Sequence, residues 1–429
     1  MLRSPPHPGK LAARMGSDLP QRPDATPAGP TPLAPLLVFG FVNSLGTGAV
    51  TNGVYFLTRE IYRFGDATNY VLGIVMGVSY IAGAVAIGPA IDRLADRLPG
   101  VTHRRILAML MIVLGGACTI PSLGGASGPW AAWATVLIYG PVTGALWPIF
   151  ESYLAGGRRD RPLRKTIGRF NITWALAVAA SFWGMSAVIE HAPKWVFLGL
   201  GLVHIASLVL LRWFPPEPPT HRSDSPHETP SSYLALLPVF QRLLPLSYIA
   251  LSALSPFLPT AMARVGLDAG QAVLLASVWM TARVGVFAVM QSWHGWRGQR
   301  WLAPSGAALL GLGFLLAIVA PSVLGEGAIG VAMMVLGLAC FGAGMGVIYC
   351  AALYYAMTVG EAAVDAGGTH EALIGLGYTA GPLIMLLGTL ADREISGAFE
   401  FTSGGLLVLC AGLACIPPRR GRAPTNESR

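Results

Sequence analysis

Apolar residues come in runs of roughly 17 to 25, separated by short polar stretches, along nearly the whole chain. Wound as a helix at 1.5 Å per residue, such a run crosses a hydrocarbon layer of about 30 Å. Twelve runs can be placed, roughly at 35–58, 70–91, 105–123, 130–154, 168–190, 195–214, 244–263, 270–291, 301–321, 327–357, 370–390 and 398–417. The pattern predicts an all-α polytopic membrane protein with twelve transmembrane helices. After residue 34 the longest polar interruption runs from Pro215-Pro-Glu-Pro-Pro through Ser232, and its Pro, Ser and charges exclude a buried helix there. The expected organisation is a tail at 1–34, a six-helix half at 35–214, a linker at 215–243, a second six-helix half at 244–417 and a tail at 418–429. Residues 1–34 are Pro-rich, with Arg3, Lys10, Arg14 and Arg22 but no apolar core, which reads as a disordered tail rather than a cleaved signal peptide.

Composition agrees with this picture. Of 429 residues, 53% are hydrophobic and 12% charged, about half the charged fraction of a soluble chain. The 53 glycines suit helices packed closely in lipid. A net charge of +8 could indicate nucleic acid, but its placement argues otherwise. Of the 29 Lys and Arg residues, 23 fall on the side carrying the termini, five on the opposite side, and Arg283 lies inside a span. That bias puts both termini in the cytoplasm, in the inner membrane of a cell, and makes the basic excess a topology signal. The five cysteines lie in apolar runs with no C-x-x-C pair, so they read as small packing residues. No metal motif and no phosphate-binding loop is present, so no metal, no cofactor and no direct use of ATP is expected.

Between the second and third runs lies Gly88-Pro-Ala-Ile-Asp92-Arg93-Leu-Ala-Asp96-Arg97. A Gly-x-x-x-Asp-Arg turn between apolar helices resembles the loop 2–3 signature of the major facilitator superfamily. The resemblance implies two six-helix bundles that rock about a central solute site, lined by spans one, four, seven and ten. It also implies a cytoplasmic gate at Gly88, Asp92, Arg93 and Arg97. The residue types fit such a gate. Gly88 lets two helices approach, Asp92 can accept from a neighbouring helix N-terminus, and the arginines can meet carboxylates or headgroups. Ala95 and Asp96 depart from the signature, where a glycine and a basic residue are usual. Weak internal similarity at an offset of 202 residues aligns Gly144, Trp147 and Tyr153 with Gly346, Tyr349 and Tyr355, and Asp92-Arg93 with His294-Gly295. A parallel repeat of two halves, with a site between them, is the expected architecture.

Polar residues inside the spans are the candidates for function. Tyr139, Thr143, Trp147 and Glu151 recur every four residues on span four, hence on one helical face. Glu151 lies about 30 Å along the helix from Trp130, near the cytoplasmic surface. Three roles are open to it: partner of Arg93 or Arg97 in the gate, proton site, or solvated helix-end acid, and its depth favours the first. Span one repeats the pattern with Asn43, Thr47, Thr51 and Tyr55, and with Asn52 alongside. Arg283 sits midway along span eight, where a central arginine costs roughly 2.5–3.5 kcal/mol on insertion scales. Trp279 one turn earlier offers a cation–π contact. Arg283, and Tyr349 on span ten, are therefore cavity candidates, and the arginine favours an anionic or polar substrate.

Span eleven opens at His370, a residue type that can titrate near neutral pH but at a helix start reads rather as satisfied or solvated, and continues to Gly377-x-x-x-Gly381-Pro382, a hinge candidate. Acidic residues Glu361 and Asp365 in loop 358–369 can oppose the basic loop 155–169. No paired acids at one depth are apparent, which disfavours a membrane-embedded enzyme. The function expected is secondary active or facilitated transport of a small polar or organic solute by rocker-switch alternating access. Proton coupling is left open, and the chain is expected to be a monomer in the lipid bilayer. Drug or metabolite efflux by proton antiport, and a non-transporting receptor or scaffold of the same fold, are the alternatives.

Overall fold

The apolar runs wind into helices that are longer than the runs themselves. The computed structural model describes residues 29–98, 100–123, 128–158, 160–219, 230–359, 364–395 and 397–415, and among them every regular element is helical. Eleven helical stretches are long and apolar enough to span a bilayer, and Ala398–Cys415 follows as the twelfth helix. Span one comprises Leu33–Gly46, a π-helical turn Thr47–Asn52, and Val54–Tyr62. Spans two to six are Asp66–Arg97, His103–Thr119, Trp130–Ala155, Asp160–Val188 and Lys194–Ser207 with its extension Leu208–Trp213. Span seven is Ser231–Leu254 continued by Leu258–Arg264, and span eight is Ala269–Ala276 continued by Val278–Ser292. Spans nine to eleven are Leu302–Leu324, Ala328–Val359 and Val364–Ala391.

Local chemistry sets the ends. Span two continues helically through the Asp92-Arg93 segment, where a turn is expected, and stops at Leu98, whose successor is a proline that disfavours helical geometry before it. Thr102 caps span three by accepting from the Arg105 N–H. Asp268 and Gln271 form a reciprocal capping box at span eight. The expected linker 215–243 is also corrected. It is helix from Ser231 onward, nearly half its length, because Leu236, Val239, Phe240 and Leu243 give that stretch a buried face despite Pro238 and Arg242. Its first residues are packed too: the Tyr153 hydroxyl donates to the Pro215 and Pro216 carbonyls. Residues 1–28, 220–229 and 418–429 and Glu361 lie outside the described residues, and so does the side chain of Asp365, while Leu33 and Ala34 of the expected first tail already belong to span one. The proposed pairing of loop 358–369 with the basic loop 155–169 falls there.

Spans one to six pack among themselves, as do seven to twelve, and the two groups meet along spans two and eleven, four and eleven, and five and eight. Glycines permit the closest approaches. A Cβ on Gly144 would lie 2.2 Å from the Tyr80 carbonyl and 3.0 Å from the Ala84 nitrogen, while one on Gly346 would meet Val286 at 3.1 Å. Gly346 and Val286 each lie 202 residues beyond Gly144 and Ala84, so the offset seen in sequence relates the contact of spans two and four to that of spans eight and ten. A Cβ on Gly83 would stand 1.9 Å from the Pro141 carbonyl oxygen, main chain that cannot swing aside. Gly83→Val is therefore expected to lower stability by about 3 kcal/mol or more through overpacking. Thermal unfolding of the purified variant beside Gly184→Val, which meets open space, checks this.

The halves are also tied at the face opposite the Lys- and Arg-rich loops, called the far face below. Arg59 at the end of span one donates to the Thr260 hydroxyl of span seven, and that hydroxyl donates to Asp66 at 2.5 Å. Trp183 Nε1 of span five donates to Ser277 Oγ of span eight at 3.0 Å. Nearby, Ser186 Oγ donates to the Gly270 carbonyl and Glu190 accepts from the Gly270 N–H, both at 2.8 Å. Two seams of hydrogen bonds thus close the far face.

Candidate functional site

Between the halves lies a cavity lined by residues of both. From the first half come Ser44, Thr47 and Asn52 of span one, Tyr80 of span two, Trp147 and Glu151 of span four, and Phe170 and Trp174 of span five. From the other half come Tyr248 and Leu251 of span seven, Trp279, Met280 and Arg283 of span eight, Tyr349 of span ten, and Glu371, Ile374 and Tyr378 of span eleven. Nearly half of the wall is aromatic, and Glu151, Arg283 and Glu371 add charged groups to it.

Arg283 is 1% exposed and has no carboxylate in ion-pair range among the described residues. Its guanidinium sits 4.7 Å from the ring centroids of both Trp174 and Tyr349, 5.4 Å from Phe287 and 5.9 Å from Tyr248. Nη2 makes one long hydrogen bond, 3.4 Å to the Tyr248 hydroxyl, and the buried Nε has no partner. Aromatic faces offset part of the cost of burying a cation, but they leave its in-plane donors free. The expected stacking partner, Trp279, instead packs edge-on to Phe341 at 6.4 Å while lining the cavity. The contact comes from span five of the other half, which no helical spacing in span eight could reveal.

Glu371 is 5% exposed and accepts a hydrogen bond from the Tyr80 hydroxyl, a bond that joins spans eleven and two across the interface. Tyr378 lies edge-on to both Tyr80 and Tyr248 at 5.6 Å, continuing the aromatic wall. Glu151, 8% exposed, faces the same cavity within electrostatic reach of Glu371. Two acids therefore share one site, against the sequence expectation of none. Glu151 makes no ion pair with Arg93 or Arg97; Asp92, Arg93 and Arg97 are exposed, and Gly88 is half-buried. Glu371 was concealed because span eleven starts at Val364 rather than His370, which places the acid about 10 Å inside the helix. His370 is inside the same helix and half-buried: its ring packs 5.9 Å from Tyr349, and its buried Nε2 is neither solvated nor satisfied by a hydrogen bond.

Of the sequence candidates, Thr47, Trp147, Trp279, Arg283 and Tyr349 reach the cavity with Glu151. Asn43, Thr51, Tyr55, Tyr139 and Thr143 do not line it. The π turn explains span one. Its i→i+5 bonding brings Thr47 and Asn52 onto one face, with Asn52 Nδ2 donating to the Thr47 carbonyl at 2.9 Å, so the spacing of four fails beyond Thr47. Asn43 and Tyr139 instead meet His204 of span six: His204 Nδ1 lies 2.9 Å from Asn43 Oδ1, and Nε2 lies 3.3 Å from the Tyr139 hydroxyl. Thr143 bonds back to the Tyr139 and Gly140 carbonyls. Gly377 and Gly381 press against Tyr248 and Ile249 of span seven, and Pro382 packs beside Gly73 of span two. The helix runs unbroken through Pro382.

No family model and no curated protein matches this sequence. Solved structures do. The nucleoside transporter NupG superposes with a TM-score of 0.62 at 11% identity, covering 89% of this chain and 98% of that one. A bacterial homolog of the human lysosomal transporter Spinster, inward-facing and unoccupied, gives 0.57 at 15% identity, with 89% and 91% covered. The human organic anion transporter MFSD10 gives 0.57 at 15% identity, with 89% and 97% covered. The chain thus has the fold of the major facilitator superfamily transporters, and its cavity lies where the two halves of that fold meet.

Proposed function

We propose that this protein is a secondary transporter that carries a small organic anion across a membrane by alternating access, coupled to protons through the cavity carboxyls. The observation that carries the reading is Arg283: a buried cation in an inter-half cavity, with free in-plane donors and, among the described residues, no carboxylate within ion-pair range. A group held in this way is satisfied by a carboxylate, sulfonate or phosphate brought by a solute, through charge-assisted bonds. The surrounding Trp147, Trp174, Trp279 and Tyr349 suit an aromatic or apolar body. Among the structural neighbours one is an organic anion transporter and another a nucleoside transporter, and the charge in this cavity favours the former chemistry. The rocker-switch reading draws support from two groups of six spans that each pack among themselves and meet along spans two and eleven, four and eleven, and five and eight. The arginine-rich loops favour cytoplasmic termini in a cell inner membrane, and a single chain holds both halves of the site, as a monomer requires.

The test is a thermal-stability screen of the purified protein against anionic, cationic and neutral solutes of similar size. Ligands that bind only the folded state raise its melting temperature. Aromatic or amphipathic anions are expected to stabilise the protein and to be accumulated by proteoliposomes. Stabilisation by cations alone overturns the reading.

A further inference from the structure

A second cavity lies between spans five, eight and ten, nearer the Lys- and Arg-rich face than the first. Two arginines line it, one from each half: Arg164 at the start of span five and Arg297 in the turn after span eight. No Asp or Glu is among its described lining residues, and neither arginine takes part in the ion pairs found among the described residues. Arg297 lies 5.0 Å over the Tyr354 ring and 6.0 Å from that of Trp296, and its buried Nε has no hydrogen-bond partner. The turn is held firmly. Trp296, 2% exposed, donates to the Met290 carbonyl at 2.9 Å, and the Gly298 N–H donates to the Tyr355 hydroxyl at 2.9 Å.

This turn is the second-half counterpart of the Asp92-Arg93 segment, with His294 where the first half has its acid. The first copy carries Asp92 and Asp96 among its arginines, and the second carries none. Two guanidinium groups in a concave site, with no internal counter-charge and an idle donor, lack an anion. Both present planar donor forks of the kind that match an oxyanion. We infer that the pocket between Arg164 and Arg297 is a second binding site, for a phosphate-type oxyanion, distinct from the central cavity around Arg283. Such a group is supplied either by a soluble phosphorylated or inorganic anion or by the headgroup of an anionic lipid. The inference does not rest on the transport reading, since the pocket lies outside the central cavity.

The test uses the full chain in detergent with inorganic phosphate as probe, reading the melting temperature. A parallel arm compares nanodiscs of phosphatidylglycerol and phosphatidylcholine. Arg297→Gln, Arg164→Gln and Arg283→Gln are measured beside the wild type. Phosphate is expected to stabilise the wild type and Arg283→Gln, with its apparent affinity falling about tenfold or more in Arg297→Gln and Arg164→Gln, as loss of a charge-assisted bond implies. A response confined to phosphatidylglycerol, and lost in the same two variants, assigns the site to lipid and equally supports it. If Arg297→Gln does not fold, Arg164→Gln decides. Three results overturn the inference: no response in either arm, a phosphate response lost only in Arg283→Gln, or a response that appears only after Glu361→Gln with Asp365→Asn. The last would mean that the arginines serve internal ion pairs.

Discussion

Replacing Arg283 with glutamine is expected to lower the affinity for anionic solutes by about two orders of magnitude, with transport falling in step. Removing one partner of a buried charge pair costs about 3–5 kcal/mol, because the remaining charge is left desolvated and unmatched. At 1.4 kcal/mol per factor of ten, the low end of that range already exceeds a hundredfold. The partner here is the solute. In the free protein the guanidinium has aromatic faces and one 3.4 Å bond to Tyr248, but no carboxylate. The ligand-free melting temperature is therefore expected not to fall in the more apolar Arg283→Met, since a buried ion without a counter-ion is replaced by a side chain of similar length. This pair of readouts separates substrate contact from scaffold. Were Arg283 a structural post, Arg283→Met would lose stability, and neutral and anionic ligands would lose binding alike.

How legible this was in the sequence depended on whether a property belonged to one helix or to several. Span number, fold class and the inter-half location of a site follow from apolar run length and from one loop signature, both local. Arg283 stood out because a lone cation amid apolar neighbours is visible without knowing the fold. Its surroundings were not, since Trp174 arrives from span five and Tyr248 from span seven. The stripe on span one failed for a different reason. Helical phase was extrapolated through Thr47–Asn52, where the π turn advances it, so Thr51 and Tyr55 were assigned to the cavity in place of Asn52. Glu151 was placed by arithmetic along its own helix, near the surface and the exposed arginines. The cavity reaches that depth, so the acid faces it. Glu371 drew no notice because hydropathy marks where a bilayer crossing begins, near His370, whereas the helix begins two turns earlier.

Replacing Glu371 with glutamine is expected to abolish proton-driven accumulation while sparing solute exchange. An anion bound at Arg283 shares its cavity with Glu151 and Glu371, and in a site screened from water a second and third negative charge oppose its binding. Protonating a carboxyl removes that opposition, so proton and anion bind more tightly together than apart, and each strengthens the other by the same factor. Tyr80 of one half donates to Glu371 of the other, so the proton also alters a bond across the interface that must part when the halves rock. Glutamine keeps an oxygen that can accept from Tyr80 and carries no charge, hence it imitates the protonated state with the packing intact. Wild-type affinity for the anion should weaken as pH rises and the carboxyl loses its proton, whereas Glu371→Gln should hold its affinity at high pH. One proton moved down one pH unit supplies about 1.4 kcal/mol, enough for a tenfold accumulation, and the variant should show none of it. Proteoliposomes with an imposed pH gradient measure the driven uptake, and counterflow of labelled against unlabelled solute measures the exchange. If the variant still accumulates solute with the gradient, Glu371 is not the coupling group, and Glu151→Gln becomes the variant that must lose it.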